Sequence, residues 1–229
     1  MSDSPRRRIP EAAVGRLPVY LRILTDLRND GVTQISSDQL AELAGVNAAK
    51  VRKDLSYLGT YGTRGVGYEV QFLSYQIQRE LGLNQSWPVV IVGAGNLGQA
   101  LANHAGITER GFDIAGVVDN DVSKVGTVVG GVRVRHTDEL ADIVDAKQVS
   151  IGVVATPAEH AQDAADLLVK AGIGSILNFA ATVLSVPRSV NVRKVDLALE
   201  LQILSYHEQL RNNGLRSVAT GDQARSATA

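Results

Sequence analysis

The residues best suited to chemistry lie in VVIVGAGNLGQA, residues 89–100, where an apolar run breaks into Gly93-x-Gly95-x-x-Gly98 and turns helical in character. In a strand–turn–helix this spacing cradles a pyrophosphate. The first glycine permits the tight turn, the second lets backbone approach the phosphates at a helix N-terminus, and the third lets the helix pack on the strand. A second apolar run, FDIAGVVD, ends at Asp119, 21 residues after Gly98. That is near the roughly 20-residue spacing of the acid that binds an adenosine ribose diol. A carboxylate there repels a 2′-phosphate, so the expected ligand is NAD(H) rather than NADP(H).

These residues need a sheet to position them, and the following sequence predicts one. GVRVR, QVSIGVVAT and GSILNFA read as strands. TDELADIVD and PAEHAQDAADLLVKAG read as helices, the latter with Pro157 at its start and Gly172 at its end. Repeated βα units imply a doubly wound parallel sheet with ligands at the C-terminal strand ends. Thr156–Pro157 and Asn178–Phe179–Ala180 occupy two such ends. Each is either a ligand contact or ordinary βα-turn chemistry.

The segment in front has a different pattern. Leu17, Tyr20, Leu21, Leu24 and Leu27 have helical spacing, with Gly31 as the stop. Ser36 and Gln39 form a capping box for a second helix that ends at Gly45. Asn47 caps a third helix, whose Val51, Leu55 and Leu58 form a buried stripe. Ala49, Arg52, Lys53 and Ser56 face the other way, and Ala48 and Ala49 permit close approach to a groove. This is a helix-turn-helix pattern, with Lys50, Arg52 and Lys53 suited to phosphates or guanine edges. The glycine-rich GTYGTRGVGYEV that follows reads as a β-hairpin wing, its Arg64 suited to a minor groove. The alternative is a small helical bundle with a solvated basic face.

Composition narrows the chemistry. The chain has no cysteine, which excludes disulfides, thiol redox sensing and Cys-ligated zinc. Its four histidines have no metal-ligand spacing, so no metal is expected. The N-terminus lacks the apolar core of a secretory signal, and no apolar run approaches a membrane span. A cytoplasmic location is therefore expected. The net charge of −1 is uneven. Residues 1–80 hold 11 Lys/Arg against 9 Asp/Glu, and the remainder holds 12 against 15.

A dehydrogenase would need a proton donor or base beside the nicotinamide, usually with a substrate domain, and little sequence remains to build one. His104, expected on the helix after the glycine loop, is a ligand or hinge contact, a structural histidine, or a catalytic base without an orienting acid. DLALELQILSYHEQL carries Leu197, Leu201, Ile203, Leu204 and Leu210 on a wide apolar face that requires a partner. The expected division is a winged-helix domain over 1–84, a dinucleotide domain over 85–195, a dimerisation helix over 196–213 and a polar tail over 214–229, expected to lack order. An NAD-dependent oxidoreductase with an N-terminal extension, or an NAD-binding regulator of a protein partner, are the rival readings.

From about Pro10 to Leu210 the chain resembles the Rex family of redox-sensing transcriptional repressors. The resemblance rests on RLPVYLRIL, ISSDQLAELAGV, KVRKDLSYLGTYGTRGVGYEV, VVIVGAGNLGQAL, VVDNDVSKVG and KVDLALELQILSY, of which VRKDLSYLGTYGTRGVGY is the most specific. It implies a homodimer with an exchanged C-terminal helix, bound to inverted-repeat operator DNA and released when NADH rises. Ala49, Lys50, Arg52, Lys53, Ser56 and Arg64 become DNA contacts. Gly93, Ala94, Gly95, Asn96, Leu97, Gly98, Asp119 and Lys124 become contacts to NADH or NAD+, joined by Thr156, Pro157 and His104. Arg16 and Asp196 become a switch ion pair across protomers, in which the acid changes partner with the bound cofactor. At least some relatives carry a tyrosine at the position of His104, where this chain has an imidazole.

Overall fold

The computed structural model describes residues 9–59, 62–63 and 66–226, with side chains described through Arg211. Two compact units meet in sequence between Ser86 and Trp87.

The first unit begins with α1 (Glu11–Val14) and α2 (Leu17–Asn29). Strand β1 (Gln34–Ile35), α3 (Ser37–Leu43) and α4 (Ala48–Ser56) follow. Ser36 and Gln39 form the expected capping box at α3, with bonds of 3.1 and 2.9 Å. Gly45 takes φ +66°, which favours glycine, and Asn47 Oδ1 accepts the Lys50 N–H at 2.8 Å to start α4. The wing is β2 (Gly62–Thr63) against β3 (Gly67–Glu69), and β3 also pairs with β1. Arg64, the expected minor-groove residue, lies outside the described residues. Helix α5 (Val70–Glu80) completes the unit. Its Val70, Leu73 and Ile77 join Leu17, Tyr20, Leu24, Leu40, Val51 and Leu55 in one buried core. The β-rich pattern before it hid this helix, although Glu69 caps it by accepting the Gln71 and Phe72 N–H groups.

The second unit opens with β4 (Trp87–Val92), α6 (Asn96–Ala102), α7 (Ala105–Thr108) and β5 (Phe112–Asp119). A short hairpin, β6 (Val128–Val129) and β7 (Val132–His136), leads to α8 (Leu140–Lys147) and β8 (Ile151–Val154). Then come α9 (Ala161–Lys170), β9 (Ser175–Asn178), β10 (Asn191–Lys194) and α10 (Leu197–Ser226). The sheet order is β10-β9-β8-β4-β5-β7-β6, parallel except for the β6–β7 hairpin. Without β6 this is the doubly wound Rossmann order, and it reverses between β4 and β8.

Alternation along β4 sends Val90 and Val92 to the side of α8 and α9, and Val89 and Ile91 to the side of Ala102 on α6. Both faces are covered, so the strand reads as a continuous apolar run. Strand β10 escaped the sequence reading because Val192 is its only apolar residue. The polar tail also differs from expectation, since α10 runs to Ser226. No proline interrupts it, and a glycine such as Gly214 costs a helix only about 1 kcal/mol. The α10 side chains Leu197, Leu201, Ile203, Leu204 and Leu210 are exposed.

Candidate functional sites

The C-terminal ends of β4, β5 and β8 open onto a cleft of about 410 Å³. The switch point of such a sheet is where ligands collect. Six of the expected residues line it: Gly93, Gly95, Asp119, Lys124, Thr156 and Pro157. Gly93 takes φ +107°, and a Cβ on it would stand 2.7 Å from the Ala155 carbonyl oxygen. A Cβ on Gly98 would stand 1.8 Å from the Gly93 carbonyl oxygen, so helix and loop touch through that missing side chain. Gly95 is the opposite case, with nothing within 4 Å of its added Cβ. Close packing thus requires two of the glycines, and the third leaves open space at the start of α6. Asn96 opens that helix and Leu97 is partly exposed on it.

Asp119 ends β5 with only 6% of its surface exposed. Its Oδ2 accepts the Ala94 N–H at 2.7 Å and meets Lys124 Nζ at 3.2 Å. Its Oδ1 accepts the Asp121 N–H at 2.8 Å. Burial alone would raise this carboxyl's pKa, but the two backbone N–H groups and the Lys124 ammonium outweigh burial and hold it below the ordinary carboxylate value. Asp119 is therefore an ionised acceptor at the lip of the cleft, as the ribose reading requires. Lys124 Nζ also stands 3.5 Å from Asp121, so two carboxylates compensate it. Thr156 Oγ1 is buried without a hydrogen-bond partner. An orphaned hydroxyl in a cleft wall, beside open space over Gly95, fits a ligand that brings its own polar atoms.

Other expected residues do different work. Asn178 is buried, and its side chain closes its own loop by donating to the Thr182 carbonyl and accepting the Ala180 N–H. That is turn chemistry. His104 is not on the helix after the glycine loop. Helix α6 stops at Ala102, Asn103 Oδ1 takes the Gly130 N–H from the β6–β7 turn, and His104 sits at the N-cap position of α7, its ring near Gly106 and making no capping bond. The turn abuts the end of α6, and His104 is absent from the cleft lining. His160, just ahead of α9, lines the cleft instead. Its place in a βα loop at a strand end was the available signal.

In the first unit, Ala49, Lys50, Arg52, Lys53 and Ser56 are all exposed along α4. Arg52 Nη1 donates to Ser37 Oγ at 2.9 Å, which ties it to the start of α3. Asp54, the only acid on α4, is buried on the inner face and holds Arg16. Asp196 precedes α10, pairs with Lys194 at 3.0 Å, and accepts the Ala198 N–H at 3.2 Å. Arg16 and Asp196 therefore each have a partner within their own unit. Among the described residues no group of three or more His, Asp or Glu could hold a metal ion, and no helix is long and apolar enough to cross a membrane.

A winged helix-turn-helix unit followed by a Rossmann unit with a dinucleotide-type cleft defines a DNA-binding regulator with a built-in ligand domain. Family models match both parts: a putative DNA-binding protein N-terminus over residues 8–56 and a CoA binding domain over 84–182. The redox-sensing transcriptional repressor Rex of Streptomyces avermitilis is 61% identical over 94% of this chain and 85% of its own length. That of Carboxydothermus hydrogenoformans is 50% identical over 87% of this chain and 96% of its own. The chain belongs to the Rex family of redox-sensing transcriptional repressors. The crystal structure of RSP in complex with β-NAD+ and operator DNA is also similar, with TM-score 0.83 and 35% identity over 94% of this chain and 98% of that one. So is RSP in complex with β-NADH, with TM-score 0.83 and 34% identity over 92% and 99%.

Proposed function

We propose that this chain represses transcription as a homodimer, binds inverted-repeat operator DNA through α4 and the wing, and leaves it when NADH accumulates. One observation carries the reading: a helix-turn-helix whose second helix is basic and exposed shares its chain with a glycine-loop cleft that ends in an ionised, buried Asp119. More than nine-tenths of the chain is similar to a repressor solved with NAD+ and operator DNA and solved again with NADH. Such a role belongs with the chromosome in the cytoplasm.

The glycine loop holds the pyrophosphate, Asp119 the adenosine ribose, and Lys124 orders the carboxylate. These contacts are common to NADH and NAD+, so they supply affinity without discrimination. Discrimination belongs to the nicotinamide end, where NAD+ carries a positive charge and NADH does not. An apolar enclosure costs NAD+ a desolvation penalty that NADH avoids. Thr156 and Pro157 border that end in this reading. The exposed apolar residues of α10 are covered by a second copy of the chain, and helix exchange brings Asp196 of one protomer to Arg16 of the other. A palindromic operator demands half-sites about 34–36 Å apart or a multiple, so rotation of the two DNA-binding units ends simultaneous groove contact. Turning the population from 99:1 to 1:99 takes roughly 5.5 kcal/mol of differential ligand binding, or about 2.7 kcal/mol for each of two cofactors.

The test is a gel shift on random-sequence DNA, with the bound pool enriched and re-measured against NADH and NAD+. Selective retention, lost on adding NADH and kept with NAD+, is expected. No retention without NADH would return the chain to the oxidoreductase or protein-partner readings.

A further inference from the structure

We propose that Asp54 is a positioning residue for DNA recognition, fixing the angle of α4 from inside and linking it to Arg16. The inference rests on the reading that α4 docks on DNA and that Arg16 takes part in the switch.

Arg52 and Lys53 are exposed on one face of α4, while Val51 and Leu55 are buried on the other. Apolar packing is non-directional, and by itself it lets a short helix turn or slide. Asp54 supplies direction. It is 2% exposed, and its carboxylate accepts three hydrogen bonds from α2 and the residue that caps it. Arg16 Nε donates at 2.6 Å, Arg16 Nη2 at 2.7 Å and the Tyr20 hydroxyl at 2.9 Å. The donors are four residues apart, one turn along the same face. A buried carboxylate must keep such partners, because leaving it unpaired is far costlier than an exposed mismatch. Helix α4 is therefore held at one rotation about its axis, and Lys53, the residue just before Asp54, inherits that rotation.

The same geometry gives Arg16 two roles. A guanidinium has five donors, and Asp54 takes the edge formed by Nε and Nη2. The side chain keeps 26% exposure, and in this proposal the Nη1 edge, which Asp54 does not use, takes a second carboxylate. Asp196 of a second protomer can dock there without displacing Asp54, so a pull on Arg16 passes directly to the recognition helix.

The test compares full-length parent and Asp54→Asn for operator affinity without NADH, NADH affinity by fluorescence and thermal unfolding, with Lys53→Ala added to each. Expected is a loss of operator affinity of at least about tenfold in a folded protein, since a buried ion pair is broken, with NADH affinity unchanged. Lys53→Ala should cost less in the Asp54→Asn background than in the parent, because a misaimed Lys53 has less to lose. A merely structural role would leave the two losses additive. Additive losses, or folded Asp54→Asn with parent-like operator affinity, would overturn the proposal. If Asp54→Asn does not fold, Tyr20→Phe decides, since it keeps the ion pair and removes one hydrogen bond. A loss of about threefold, non-additive with Lys53→Ala, supports the proposal and parent-like binding overturns it. Asp196→Asn separates the two readings. Parent-like binding and release in that variant, beside weak binding in Asp54→Asn, would remove the switch and keep the positioning role. The reverse pattern would remove the positioning role and keep the switch.

Discussion

Asp54 and Asp119 are both buried carboxylates, one in each unit, and they are satisfied in opposite ways. Asp54 is closed, taking its hydrogen bonds from the arginine and tyrosine side chains of its own unit. Asp119 is open, held by two backbone N–H groups and by Lys124 at the lip of a cleft. Of those donors Lys124 also lines the cleft, within reach of a ligand. The first arrangement locks a helix that must present a fixed face. The second keeps a charged acceptor ionised and available. The difference lies in the partner set, because fractional exposure is nearly the same for both at 2% and 6%.

The contrast fails first at the glycines if it is wrong. Gly98→Ala puts a Cβ 1.8 Å from the Gly93 carbonyl oxygen and should abolish NADH binding and lower the melting temperature together. Gly95→Ala meets nothing within 4 Å at an ordinary φ of −74°, so its melting temperature should match the parent. Its NADH affinity should still fall roughly 30- to 100-fold, through lost charge-assisted bonds to the pyrophosphate. Calorimetry and fluorescence titration on the pair separate packing from ligand space. Equal NADH binding by Gly95→Ala would show that the cleft is not the phosphate site.

Asp119→Ala should lose at least about tenfold in NADH affinity, since charge-assisted hydrogen bonds contribute about 1.5–3 kcal/mol each. The preference for NADH over NADPH should narrow in the same titration. Unchanged NADH binding would remove Asp119 as the ribose acid. In the other unit, Arg52→Ala and Lys53→Ala should weaken operator binding with NADH affinity intact, and each should lower the log–log salt slope by about one. Parent-like slopes in both would take α4 out of the interface.

The smallest effect is on acid stability. The Asp119 pKa lies below its ordinary value of 3.8 in the folded chain. Its contribution is complete above that value and disappears as pH falls through the lowered one. Melting temperatures from neutral pH downward should fall more steeply for the parent than for Asp119→Asn in this acid range. Parallel curves would show that the N–H groups of Ala94 and Asp121 do not stabilise the charge.

Much of the sheet was legible because its signals are local. FDIAGVVD is β5 residue for residue, the Ser36–Gln39 box starts α3, and Gly93-x-Gly95-x-x-Gly98 sits where strand meets helix. Each depends on neighbours within a few positions. What escaped depends on contacts distant in sequence. Strand β10 exists because β9 offers it an edge. Helix α5 is secured by packing into the core of α2, α3 and α4. His104 left the helix because the β6–β7 turn meets the end of α6 through Asn103 and Gly130.

Local pattern alone established the two modules, most of the strands, the loop glycines and the acid 21 residues beyond them. Those follow from periodicity, capping and backbone freedom, which act over a few residues. Only the folded chain brings Arg16, 38 residues away, to the inward-facing acid of the basic helix. Only it decided that Thr156 Oγ1 is buried with no partner in the cleft, while Asn178, at the next strand end, uses its side chain to close a turn. A carboxylate or hydroxyl has the same formula in every context. Its role is set by which donors, acceptors and water can reach it, and that is fixed only when distant segments meet.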